Sequence, residues 1–136
     1  ILWVFGLVMG VIIALLFPDQ LESVEAMNQA NDSIAVAFST IPLALLLSST
    51  AAVGEEILFR GALQPVFGNI AISLFFASLH TQSLLSPAII LLFAISIALG
   101  VIRKRSSTTA SILAHFIYNF AQLLMAILLV STTGGI

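Results

Sequence analysis

The placement of charge constrains this chain more than any other feature. Only 7% of its residues are charged and 60% are hydrophobic. Soluble domains carry roughly 25% charged residues. Four basic and six acidic side chains cannot clothe a 136-residue fold in a water-facing surface. The balance excludes a cytosolic globular enzyme and a disordered tail. A net charge of -2 with four bases removes any electrostatic footprint for nucleic acid. An integral membrane protein remains. With no cysteine, neither a disulfide framework nor a thiolate metal site is available.

The charges fall in three groups. Asp19, Glu22, Glu25 and Asp32 lie between two apolar runs, and Arg103, Lys104 and Arg105 form one basic cluster. The remaining three, Glu55, Glu56 and Arg60, sit within six residues of one another beside an apolar run. His80 and His115 also stand in apolar surroundings. Ionisable groups at membrane depth are costly, face the protein interior and mark function.

Punctuation by proline, glycine and charge predicts an all-α, multi-pass transmembrane bundle of about five helices, a single membrane-embedded domain over 1–136. The first, Ile1–Phe17, is expected to be a truncated helix stopped by Pro18, with N-terminal helices of a longer protein missing. Asp19–Ser33 reads as a polar loop. A second helix is expected from near Ile34 to about Leu63, ended by Pro65, with kinks at Pro42 and Gly54. A short third runs from Asn69 to His80, a fourth from Ser86 to Ile102 with Pro87 in its first turn, and a fifth from Ser107 to Val130. The basic cluster places the Arg103–Arg105 loop in the cytoplasm. Trp3 reads as an interface anchor.

Three helices then carry polar stripes. Glu56 and Arg60 stand i, i+4 in the favourable order for an ion pair. At 100° per residue Glu55 lies about 140° from Arg60, without a local partner. Ser111, His115, Asn119 and Gln122 line one face of the fifth helix, and Ser73, Phe76 and His80 share a face of the third. Side chains lean toward helix N-termini, so the glutamates and His115 can meet at intermediate depth. A desolvated carboxylate beside neutral imidazoles is equipped to act as a general base on water. Two histidines and a carboxylate are equally a ligand set for catalytic zinc, here Glu55, His80 and His115. Ser73, Ser111 and Gln122 read as helix–helix glue, and Phe76 as packing.

Glu55-Glu56-Ile57-Leu58-Phe59-Arg60, Phe76-Ala77-Ser78-Leu79-His80 and His115-Phe116-Ile117-Tyr118-Asn119 occur in that order. They resemble the Glu-Glu-x-x-x-Arg, Phe-x-x-x-His and His-x-x-x-Asn motifs of the CPBP family, the CaaX protease and bacteriocin-processing (Abi) intramembrane proteases. The resemblance covers about 34–130. It implies an intramembrane endopeptidase that hydrolyses a peptide bond with activated water, acting on a peptide or protein substrate, membrane-associated ones included. Glu55 would activate the water, His80 would hold or polarise it, and Glu56 and Arg60 would support it. His115 and Asn119 would stabilise the oxyanion or complete the site. The family has been described both as metal-dependent, with a divalent ion such as zinc, and as using a metal-free glutamate. A prokaryotic plasma membrane is the expected location. The alternative is a non-enzymatic bacteriocin-immunity or scaffolding protein on the same fold. The two differ in whether Glu55, His80 and His115 converge. Nucleic acid is not an expected partner.

Overall fold

The computed structural model describes residues 11–12, 15–16, 40–80 and 88–132. Most of the expected 1–17 helix, the acidic loop after it, residues 34–39 and Pro87 lie outside the described residues. Residues 11–12 and 15–16 are helical.

The described chain forms one all-α bundle. Helix α1 spans Ile41–Glu55, passes without interruption into a π-helical segment at Glu56–Leu63, and ends in the short α2, Gln64–Phe67. Helices α3 (Asn69–Leu79), α4 (Ala88–Arg105) and α5 (Thr108–Thr132) follow. Helix α1 packs on α5, α3 on α4, and α4 on α5; the π segment also packs on α5. The described residues therefore make four helical rods, fewer than the five expected. Ile41–Phe67 and Thr108–Leu128 are long and apolar enough to cross a membrane.

The prolines behave differently from expectation. Pro42 lies in the first turn of α1, where its missing N–H breaks no helical bond. Helix α1 continues through Gly54 and departs from α geometry only at Glu56. Pro65 does not stop the rod. It sits in the first turn of α2, directly after the widened π turns, and the Gln64 N–H reaches back to the Phe59 carbonyl. Widening before a proline moves the carbonyl its ring would strike. The stop comes at Gly68, whose φ of 81° is open to glycine at no steric cost. That residue closes α2 and opens α3. Ser107 caps α5, its Oγ accepting from the Ala110 N–H at 3.1 Å. The basic triplet lies inside the last turn of α4 rather than after it, where it complements the helix dipole.

Burial is inverted relative to a soluble domain. Glu56, Arg60, Gln64, Ser48, Ser73, Ser96, Ser111 and His115 are buried, whereas Leu46, Ile57, Val66, Phe67, Ile70, Leu113 and Ile117 are exposed. Polar interior and apolar exterior are what a bilayer selects, because lipid solvates the side chains that water would reject. The apolar core proper is small: Phe59, Ile72 and Phe76, with Leu63 against them.

Candidate active site

The buried positions of the first rod are Ala44, Ser48, Ala52, Glu56, Arg60 and Gln64, with Phe59 beside them. A spacing of four does not match the α repeat. Each step of four drifts about 40° around an α-helix, and about 30° the other way where roughly 4.4 residues make a π turn. The α half carries the stripe round in one sense and the π half brings it back. Glu56, Arg60 and Gln64 consequently stay on the inner face.

Glu56 is fully buried and its carboxylate is saturated. Oε2 pairs with Arg60 Nε at 3.3 Å, and it accepts a hydrogen bond from the Ser111 hydroxyl. Oε1 lies 2.9 Å from His115 Nδ1. As the anionic partner of Arg60, Glu56 only accepts, so Nδ1 of His115 carries a proton, and in the neutral form of the ring the lone pair is at Nε2. That Nε2 lies 3.8 Å from Glu55 Oε2. The Glu55 side chain retains 35% exposure, against 0% for Glu56. Adjacent glutamates thus occupy opposite positions: one locked behind the imidazole, the other open in front of it.

Phe76 links the remaining parts. Its ring contacts Phe59 at 5.2 Å, His80 at 4.7 Å and His115 at 6.3 Å between centroids, and the Arg60 guanidinium stands 5.2 Å over it. The aromatic residue is packing, as its sequence context suggests, but it packs three motifs against one another. His80 ends α3 rather than continuing it, with Nδ1 3.0 Å from the Phe76 carbonyl. A carbonyl accepts only, so Nδ1 donates and Nε2 of a neutral His80 is left as an acceptor. Asn119 stands one turn beyond His115 on α5, half-buried.

Helix α4 holds the arrangement from behind through its own carbonyls. Arg60 Nη2 donates to the Ser96 carbonyl at 3.1 Å and Ser96 Oγ at 3.0 Å. Asn69 Nδ2 donates to the Ile97 carbonyl at 3.0 Å, and Gln64 Nε2 to the Gly100 carbonyl at 2.9 Å. Asn69 approaches so closely that a Cβ on Gly100 would stand 1.7 Å from its Oδ1. Ser96, Gln64, Asn69 and Gly100 escaped the sequence reading, which followed ionisable groups. The four-residue spacing of Glu56, Arg60 and Gln64 is the signal that carried Gln64. Ser111, expected as helix–helix glue, does join helices: its hydroxyl donates to Glu56 on the first rod and lies 3.2 Å from the Leu99 carbonyl of α4. Ser73 bonds within its own helix, its Oγ 3.5 Å from Asn69 Oδ1.

Among the described residues no three His, Asp or Glu side chains form a group that could hold a metal ion. Both imidazoles direct Nδ1 at protein acceptors and Glu56 is occupied on both oxygens, which leaves Nε2 of each ring and the Glu55 carboxylate as the atoms that would hold such an ion. What the group can do is orient a partly exposed carboxylate next to an imidazole whose tautomer is fixed from behind. A buried carboxylate aligning a histidine is a recurring device of hydrolytic sites.

No curated protein and no solved structure matches the chain at a significant level. One family model does match, described as Type II CAAX prenyl endopeptidase Rce1-like, over residues 37–121. The match takes in more than half of the chain and all three motifs, from Glu55 to Asn119. The protein accordingly belongs to the Rce1-like type II CAAX prenyl endopeptidase family.

Proposed function

We propose that the protein is a multi-pass intramembrane endopeptidase in which Glu55 activates water against a peptide bond. The observation that carries this reading is the Glu56–His115–Glu55 arrangement, with Nδ1 of His115 2.9 Å from Glu56 and Nε2 3.8 Å from Glu55. Glu56 with Arg60 fixes the imidazole, and its Nε2 stands 3.8 Å from the open carboxylate as a second acceptor facing the same space. Water gives one proton to Glu55 as its oxygen bonds to the carbonyl carbon. The Nε2 lone pair of His80 accepts a hydrogen bond from the second O–H and aims the water. The Asn119 amide, a donor that never changes charge, serves the developing oxyanion. Glu55 then passes its proton to the leaving nitrogen as the C–N bond breaks, which restores the carboxylate.

The substrate class proposed is a prenylated CaaX-type peptide or protein held at the membrane, with the Arg103–Arg105 end of α4 on the cytoplasmic side. The test is cleavage of a fluorogenic farnesylated CaaX peptide by the full chain in lipid vesicles. Glu55→Gln keeps the shape and removes the base, and a general base contributes about 10²–10⁴-fold. Loss on that scale with unchanged thermal melting is expected. Turnover within a few-fold of the parent would remove Glu55 from the role of base.

A further inference from the structure

Ser111 belongs to the chemistry of this site although none of the three motifs includes it. It stands one turn before His115 on α5, fully buried, with its Oγ on Glu56 Oε2 and 3.2 Å from the Leu99 carbonyl. One hydroxyl carries one proton, and the carboxylate is both the closer and the more strongly charged acceptor. Arg60 Nε reaches the same Oε2 at 3.3 Å. The Ser111 hydroxyl is therefore the hydrogen-bond donor on one oxygen of Glu56, beside an ion-pair contact from Arg60 whose Nε makes no hydrogen bond, and the other oxygen is left for His115 Nδ1 alone.

We infer that Ser111 is a positioning residue of the proteolytic reaction. It locks the Glu56 carboxylate in the rotation that pins His115 as the Nδ1–H tautomer, with Nε2 toward Glu55. The inference rests on the proposed function above. Its geometric content is independent of that function: without the hydroxyl, Glu56 is anchored at Oε2 only by the longer contact to Arg60. The carboxylate can then rotate, and the imidazole loses its fixed partner. Ser111 touches neither water nor peptide in this account and acts wholly through Glu56.

The experiment compares the parent with Ser111→Ala, Ser111→Thr and Ser111→Val in the full chain. Threonine and valine have nearly the same bulk and differ in the hydroxyl, so packing disturbance is common to both. A hydrogen bond to a charged group corresponds to roughly ten- to a hundredfold. Ser111→Ala is expected to lower kcat for the farnesylated CaaX peptide on that scale with KM unchanged. Ser111→Thr should exceed Ser111→Val clearly. The second readout needs no turnover: ¹⁵N spectra of the imidazoles. The chain has only two histidines, so one His80→Gln control assigns His115. The parent should show His115 protonated at Nδ1, and Ser111→Ala a mixture of tautomers. Equal kcat for the threonine and valine variants, or a tautomer unaffected by Ser111→Ala, would overturn the assignment. If Glu55→Gln still cleaved, the proteolytic reading itself would fall. The spectra would then judge the Ser111–Glu56–His115 coupling by itself.

Discussion

The site has a closed half and an open half, divided between two consecutive residues. Glu56, Arg60, Ser96 and Ser111 form the closed half, each with no more than a trace of exposure and each engaged with another helix. Glu55 stands in the open half, its side chain 35% exposed beside Nε2 of His115; His80 and Asn119, which end the other two motifs, are likewise only partly buried. The two glutamates share a side chain, a local sequence and a helix. What separates them is one residue's rotation about the helix axis, about 100°, which directs one inward and leaves the other at the edge. Function in this molecule depends less on which ionisable groups are present than on which are already satisfied.

The comparison predicts unlike consequences for like substitutions. The largest contrast is between Glu55→Gln and Glu56→Gln. The first should abolish cleavage, by the margin given above, at unchanged melting temperature. The second should lose activity and stability together, because it leaves Arg60 buried without its counter-charge. Equal melting temperatures for the two would erase the distinction between halves.

Arg60→Ala should come next in size. It strands Glu56 at zero exposure and removes the bonds to Ser96 and the contact over Phe76. Removing one partner of a buried pair costs about 3–5 kcal/mol, against about 0.3–0.5 for an exposed i, i+4 pair. Thermal melts in detergent separate these magnitudes. The double change Glu56→Gln with Arg60→Gln should recover part of the stability, since no lone charge remains, but not the activity.

Gly100→Ala tests the support behind the closed half. The new methyl would meet Asn69 at 1.7 Å, so the amide must leave the Ile97 carbonyl. A loss of about 1–3 kcal/mol is expected, read as reduced thermal stability and relieved in part by adding Asn69→Ala. Gly54→Ala should have the smallest effect, within about 0.5 kcal/mol. Nothing lies within 4 Å of a Cβ there. A large effect would show that the rod needs glycine's backbone freedom at Gly54.

Much of this was readable in advance, for identifiable reasons. Near-absence of charge dictates a bilayer as solvent, and a bilayer admits backbone only as helix or closed barrel. The three motifs stand at helical spacing, so the ion pair of Glu56 with Arg60 and the meeting of Glu55 with His115 follow from faces and depths. The end of the first rod did not follow. Pro65 is a stop signal in an α-helix, and it loses that force where a widened turn precedes it.

The sequence by itself determined the solvent, the secondary structure class, the three motifs and the acidic and basic character of the site. These depend on composition and on spacing along single helices, which are local quantities. The tertiary structure alone decided which glutamate is spent and which is free, which nitrogen of His115 faces outward, and that Ser111 and Ser96 are partners of charges rather than incidental polar residues. Those outcomes depend on contacts between residues 36 to 59 positions apart. Their energies come from satisfying buried polar groups across helices, and no spacing along one helix encodes which acceptor a buried donor will find.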